Sequence, residues 1–284
     1  MTPQLRTLAE GLDHPESICL GPDGALFAGG EDGQIYRIET DGGHETIAHF
    51  PGRYFLGVAA DAGGRLYLCD MNNAVVMRLD PATGESDDWC VAASGSRLVC
   101  PNTGAFNPDG SMWLTDSGEM GRPAGAIVLV PAGGGDGERL DLPPLHYPNA
   151  CALGRGNMLY VAESILPGVT VIRDGVREVH RMLERTVPDG IAVTEDDTVL
   201  VGCFQPNAIM AMPGWGRPEG PVETIAEDWS GLEMLTPSGL AFFGPELDKL
   251  AISTVCGWSV RAFDELPFGG RPLVLPTHGL GGRL

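Results

Sequence analysis

Glu16, Asn149 and Asp189 are oxygen-bearing side chains that each follow directly on a proline, in Pro15-Glu16, Pro148-Asn149 and Pro188-Asp189-Gly190. Each stands just before a short apolar run. Three further stretches of the same kind carry Leu56, Asn102-Thr103 and Ser238. Aligned on their shared turn, the six stretches give the column Glu16, Leu56, Thr103, Asn149, Asp189, Ser238, with Asn102 one place before Thr103. If these positions converge, their carboxylate and amide oxygens suit a hard divalent cation such as calcium, magnesium or manganese. Carboxylates pointing into a narrow space repel each other unless a cation or a proton compensates. The column holds no His or Cys, so nothing in it suggests an imidazole or thiolate zinc site. A competing reading treats Asp, Asn and Ser before a strand as turn formers that bond their own backbone. Glu is a poor turn residue, and the joint occurrence in one column favours the ion.

The elements that must bring these residues together come from a repeat. A turn ending in Gly or Asp, a short strand, a break and a second strand recur six times. Examples are Ser17-Ile18-Cys19-Leu20 followed by Pro22-Asp23-Gly24 and Leu26-Phe27-Ala28, or Asn107-Pro108-Asp109-Gly110 followed by Met112-Trp113-Leu114. The starts lie roughly 40 to 50 residues apart, the period of a propeller blade. Further strands follow, as in Gln34–Ile38 and Val75–Leu79, separated by turn pairs such as Asp32-Gly33 and Asp174-Gly175. No helix is evident, and Val179 to Arg185 is the nearest candidate. The prediction is an all-β, six-bladed β-propeller occupying residues 1–284 as a single domain, with a β-sandwich as the competing fold. Residues 5–8 are expected to close the ring by pairing with the last blade. In such a ring the innermost strand of each blade lines the central channel, so the column meets on one axis. The run Gly133-Gly134-Gly135-Asp136-Gly137 lacks the strand and helix that flank a phosphate loop and reads as a hairpin tip.

Composition narrows the partners. A formal net charge of −20 argues against nucleic acid and against an anionic membrane surface. Apolar residues make up 43% of the chain, enough for a full core. The seven Cys residues are widely spaced without a CxxC pair, and several sit in apolar strand-like runs; they read as small buried hydrophobes in a reducing compartment. The first residues show no apolar signal region, and no run approaches the ~20 apolar residues of a membrane span. A soluble cytoplasmic protein is the expectation, with oligomeric state left open.

With column and repeat in hand, the chain resembles the family that joins senescence marker protein 30, gluconolactonase and luciferin-regenerating enzyme, from about Leu12 to Ala262. The resemblance implies metal ligation by the Glu of an opening Pro-Glu, the Asn of a Pro-Asn and the Asp of a Pro-Asp-Gly: here Glu16, Asn149 and Asp189. It implies one divalent cation, calcium first, with manganese, magnesium, zinc or iron as alternatives. It implies hydrolysis of a sugar lactone or similar lactone to its hydroxy acid, the ion acting as Lewis acid and Asp189 as ligand and general base. An Asn-Asp pair on the third blade of the family contacts substrate; here Asn102 matches and Thr103 replaces the Asp. An Arg two places before that Asn is common among sugar lactonases; here that place is Cys100, and the nearest Arg is Arg97. Candidate substrate contacts are therefore Asn102, Thr103, Arg97, His146 and Tyr147. Tyr54 and Phe55, like His146 and Tyr147, precede channel-entrance turns and either wall the pocket or pack. His14 reads as a surface or supporting group. Three rivals remain: a strictosidine-synthase-like propeller, a hydrolase of phosphoesters or other activated esters, and a non-catalytic binding propeller.

Overall fold

The computed structural model describes residues 5–217 and 219–266, and these form six sheets around a central channel, antiparallel except where Ala92–Ala93 pairs parallel with Asp136–Gly137. Blade 1 is built from Ile18–Leu20, Leu26–Gly29, Gln34–Ile38 and His44–His49. Blade 2 runs from Phe55–Ala60 outward to Ser86–Cys90, and blade 3 from Pro101–Phe106 to Asp136–Arg139. Two short strands, Ala92–Ala93 and Ser96–Arg97, extend the edge of blade 3. Blades 4 and 5 begin with Pro148–Leu153 and Val187–Val193. Blade 6 takes three strands from Pro237–Phe243 onward and its outermost strand, Leu5–Glu10, from the start of the described chain. That strand pairs antiparallel with Ser259–Phe263, Arg6 opposite Ala262, so the ring closes as its sequence suggested. Closure removes the edge that would otherwise be free to template aggregation.

Strand rather than helix wins throughout because the apolar runs are β-branched or aromatic and are cut by Asp-Gly and Pro-Asp-Gly turns. Val179, the start of the helix candidate, lies inside the outer strand Val176–Met182 of blade 4. Among the described residues the one helical piece is a 3-10 turn, Arg155–Asn157. No helix there is long and apolar enough to cross a membrane.

Stability comes from packing between blades. Between blades 2 and 3, Tyr67 stands edge-on to Trp89 and to Phe106, each pair at 4.8 Å between centroids. Such aromatic pairs contribute about 0.5–1.5 kcal/mol each beyond their buried area. Glycines let neighbouring inner strands touch. A Cβ on Gly190 would fall 2.0 Å from the Ser238 carbonyl oxygen. The Gly of Pro188-Asp189-Gly190 is thus required by blade contact beside the column.

Candidate metal centre

The inner strands begin irregularly, and this aims the column at the axis. In blade 4, Pro148 pairs with Glu163 but Cys151 pairs with Val161, so one extra residue is accommodated around Asn149. The same bulge follows Phe55, Pro101, Pro188 and Pro237. A bulge turns a side chain out of the strand's alternation, and here five blades use it at the same level. The residues preceding Pro15, Pro148 and Pro237 are His14, Tyr147 and Thr236, all left-handed, with φ of 43°, 59° and 53°. Non-glycine residues rarely adopt this conformation, and its clustering at one end of the channel marks the place where backbone strain is held.

The register corrects the sequence alignment at one position. Pro101 occupies the place of Pro148, so Asn102, not Thr103, stands in the column. The Thr103 hydroxyl is engaged between blades: it donates to the Asn149 carbonyl at 3.1 Å and accepts from the Cys151 amide at 3.2 Å. Arg97 is exposed, absent from the channel lining, and donates to the Asn73 carbonyl at 3.1 Å. The His146 amide donates to Glu163 at 2.6 Å. Phe55 is fully buried and packs edge-on with Phe50, so it belongs to the core.

Glu16, Asn102, Asn149, Asp189 and Ser238, with Leu56, form the polar end of a channel cavity of about 330 Å³. Below them the walls are apolar, including Leu20, Val58, Phe106, Val193 and Phe242. The two amides are fixed by their nitrogens. Asn102 Nδ2 donates to Ser117 Oγ at 3.1 Å, and Asn149 Nδ2 to Ser164 Oγ at 3.3 Å. Those serines in turn donate to the Pro148 and Pro188 carbonyls, at 2.8 and 2.7 Å. This leaves Asn102 Oδ1 and Asn149 Oδ1 buried with no hydrogen-bond partner. An orphaned buried acceptor costs on the order of 1–3 kcal/mol, so two of them beside two carboxylates call for an occupant that supplies positive charge.

The carboxylates report the same deficit. Burial raises the Asp189 pKa well above the ordinary range, and the neighbouring Glu16 charge raises it further. Burial also raises Glu16, opposed by a hydrogen bond from the Tyr54 hydroxyl, 2.8 Å from Glu16 Oε2. Four carboxylate and amide side chains, poor in counter-charge, fit a hard divalent cation. Around them lie Tyr54, Tyr147 and Cys100. Burial pushes the Cys100 thiol pKa up to about 11.

Sequence reasoning missed the supports. Asp70, Asp116 and Glu163 are buried acids at the ends of second strands. Each accepts from the backbone that leads into the next ring residue: the Tyr54 amide, the Val99 and Cys100 amides, and the His146 amide. Each also meets an arginine: Arg53 at 2.9 Å, Arg139 at 2.7 Å and Arg177 at 2.8 Å. Their constant offset from Phe55, Pro101 and Pro148 was a visible signal. Asp13, His14 and Glu31 form a second acidic group beside the mouth. There Trp258 Nε1 donates to His14 Nε2 at 3.3 Å, so His14 Nδ1 carries the proton it shares with Asp13 and Glu31, at 2.8 and 2.9 Å. Those hydrogen bonds account for the group without an ion.

A closed propeller with an oxygen ring at one end of its channel defines the class of molecule. Residues 25–255 match the SMP-30/Gluconolactonase/LRE-like region, and the chain belongs to that family. Residues 3–38 also match the N-terminal region of strictosidine synthase-like proteins. No curated protein matches. Among solved structures, a gluconolactonase from Xanthomonas campestris is 19% identical, with a TM-score of 0.76 over 92% of this chain and 89% of that one. The calcium-binding protein regucalcin from Agrobacterium tumefaciens is 15% identical, with a TM-score of 0.76 over 95% and 97%. A streptogramin B lyase is 12% identical, with a TM-score of 0.66 over 91% and 96%. At these identities the likeness establishes the fold.

Proposed function

We propose that this chain is a divalent-metal-dependent lactonase of gluconolactonase type, which opens a lactone ring to the hydroxy acid. The observation that carries the reading is the ring itself: two orphaned amide oxygens, the buried Asp189 carboxylate and the half-buried Glu16 carboxylate that repels it, on one axis. Family membership and the gluconolactonase among the structural neighbours support the activity. The ion would be held by Glu16, Asn149 and Asp189, and calcium suits this all-oxygen donor set; one structural neighbour is a calcium-binding protein. When bound, it supplies Lewis-acid polarisation of the ester carbonyl and stabilises the developing oxyanion.

The chain's own groups do the rest. Asp189 takes a proton from the attacking water and returns it to the ring oxygen as the acyl C–O bond breaks. Asn102 Oδ1, held in place through Nδ2 and Ser117, orients the water or a substrate hydroxyl. The Tyr54 hydroxyl restrains Glu16. Burial of the ring keeps bulk water from screening these interactions.

The strictosidine-synthase-like match spans residues 3–38, which include Glu16 but neither Asn149 nor Asp189, so it does not account for the ring. The test is hydrolysis of a lactone panel by chelated protein, by protein resupplied with calcium or manganese, and by Asp189→Ala. Activity should vanish on chelation, return with metal, and fall at least about a thousandfold in the variant. Wild-type turnover by Asp189→Ala would refute the assignment.

A further inference from the structure

Three serines stand at the oxygen ring, and they are not used alike. Ser117 and Ser164 are fully engaged. Each accepts from an asparagine Nδ2 and donates to a proline carbonyl, at 2.8 and 2.7 Å. Ser238 belongs to the ring itself. Its strand carries the bulge of the other ring blades, with Pro237 opposite Thr254 and Gly239 opposite Ser253. It borders the same channel cavity as Glu16, Asn102, Asn149 and Asp189, and it is 2% exposed. Its backbone is clamped on both sides. A Cβ on Gly190 would fall 2.0 Å from the Ser238 carbonyl oxygen, and a Cβ on Gly239 would fall 2.9 Å from Ser17 Cα. Ser238 is thus wedged between Asp189-Gly190 of blade 5 and Glu16-Ser17 of blade 1, next to both carboxylate positions.

The Ser238 hydroxyl is held slackly. Its contacts among the described residues are the Ser253 carbonyl at 3.4 Å and Ser253 Oγ at 3.3 Å. A well-made O–H···O hydrogen bond closes to about 2.7–2.8 Å. Ser253 Oγ is already committed: it accepts from the Gly239 amide at 2.8 Å and donates to the Glu16 carbonyl at 2.9 Å. The other donors beside the ring have acceptors. Ser117 and Ser164 take the amide nitrogens, and Glu16 takes the Tyr54 hydroxyl. What the ring otherwise presents is acceptors: the carboxylates and the two orphaned amide oxygens. A buried donor with only long contacts forfeits hydrogen-bond energy in the free protein. Fixed in place beside a cavity, it is preorganised for an oxygen that a ligand brings.

We infer that Ser238 is a further catalytic residue, whose hydroxyl donates a hydrogen bond to the ring oxygen of the bound lactone as the acyl C–O bond breaks. This rests on the lactonase reading and adds a group to it. In the step, the water oxygen bonds to the acyl carbon and the acyl C–O electron pair leaves on the ring oxygen. One water proton passes through Asp189 to that oxygen, and the other stays on the new carboxyl group. Ser238 keeps its own proton throughout. It stabilises the charge that the ring oxygen carries before the proton arrives, and its place beside Asp189 brings donor and proton carrier to the same atom.

The test compares the metal-loaded full chain with Ser238→Ala on lactones that differ in their leaving oxygen. δ-Valerolactone and glucono-1,5-lactone expel an alkoxide, which needs a donor. Dihydrocoumarin expels a phenoxide, which spreads its own charge. Ser238→Ala should lose about a hundredfold in kcat on the alkoxide lactones and less than about threefold on dihydrocoumarin. KM, and manganese affinity by calorimetry, should stay within about twofold of the parent. Ser238→Cys, close in size and a weak donor, should follow the alanine variant, and it carries the comparison if alanine loosens the blade contact. An equal loss on all three lactones, or no loss on the alkoxide pair, overturns this inference and leaves the lactonase reading standing. A fall in manganese affinity of about tenfold or more means that Ser238 serves the ion, and the inference is wrong. Inactivity of the parent on all three lactones with metal bound overturns both.

Discussion

Two sets of acids at the ring end of the channel teach different lessons. Asp70, Asp116 and Glu163 are buried to 1% exposure or less, and each is met by an arginine and by backbone amides. The protein supplies their counter-charge in full. Glu16 and Asp189 lie on the same molecule at the same end of the channel, yet among the described residues no arginine or lysine pairs with them. Their partners are a tyrosine hydroxyl and an asparagine. The first set is scaffold, which fixes the loops that carry the ring. The second set is left short of positive charge, and that shortage is the physical content of the metal proposal.

Substitution should separate the two sets by sign. Glu163→Gln leaves Arg177 buried against a neutral amide and should cost about 3–5 kcal/mol, read as a lower denaturant midpoint at unchanged slope. Asp189→Asn removes a like-charge neighbour of Glu16 and, in chelated protein, should raise stability by about 1–3 kcal/mol. Destabilisation by both variants in chelator would mean that Asp189 already has a protein partner.

A smaller effect sharpens the role of the serines. Ser164→Ala frees the Asn149 amide to rotate, and metal affinity measured by calorimetry should fall about 10- to 100-fold with little change in fold. The pH response should be gentler, present without metal and absent with it. Glu16 and Asp189 have folded pKa values above their ordinary ones. A raised carboxyl pKa makes the folded state hold more protons than the unfolded one. Metal-free stability is therefore greatest below the ordinary carboxylate range and declines as pH rises through the folded values. With metal bound, both acids are ionised and paired, so the decline should disappear. Parallel melting curves at pH 5 and pH 8, with and without chelator, read this directly.

The repeat and its closing strand were legible because their signals are local: apolar runs, Asp-Gly turns and a stable period. The Pro-Glu, Pro-Asn and Pro-Asp-Gly trio was legible for the same reason. What could not be read was geometry that depends on pairing. The bulge after Pro101 decides between Asn102 and Thr103, and it is visible only as a register shift against Met112–Asp116. Tyr54 reaches Glu16 from the next blade, across 38 positions of sequence. Arg97 stood near the site in sequence, yet its side chain follows the Asn73 carbonyl. The scaffold acids looked like strand-end polar residues until their arginines, which come from other strands and loops, were placed beside them.

The most direct measurement is anomalous scattering from crystals grown with manganese. The account predicts one strong peak on the channel axis, bounded by Asn149 Oδ1 and the carboxylates of Glu16 and Asp189, and lost in Asp189→Ala crystals. The contrary result is an axis without a peak at saturating metal while those three side chains keep their positions.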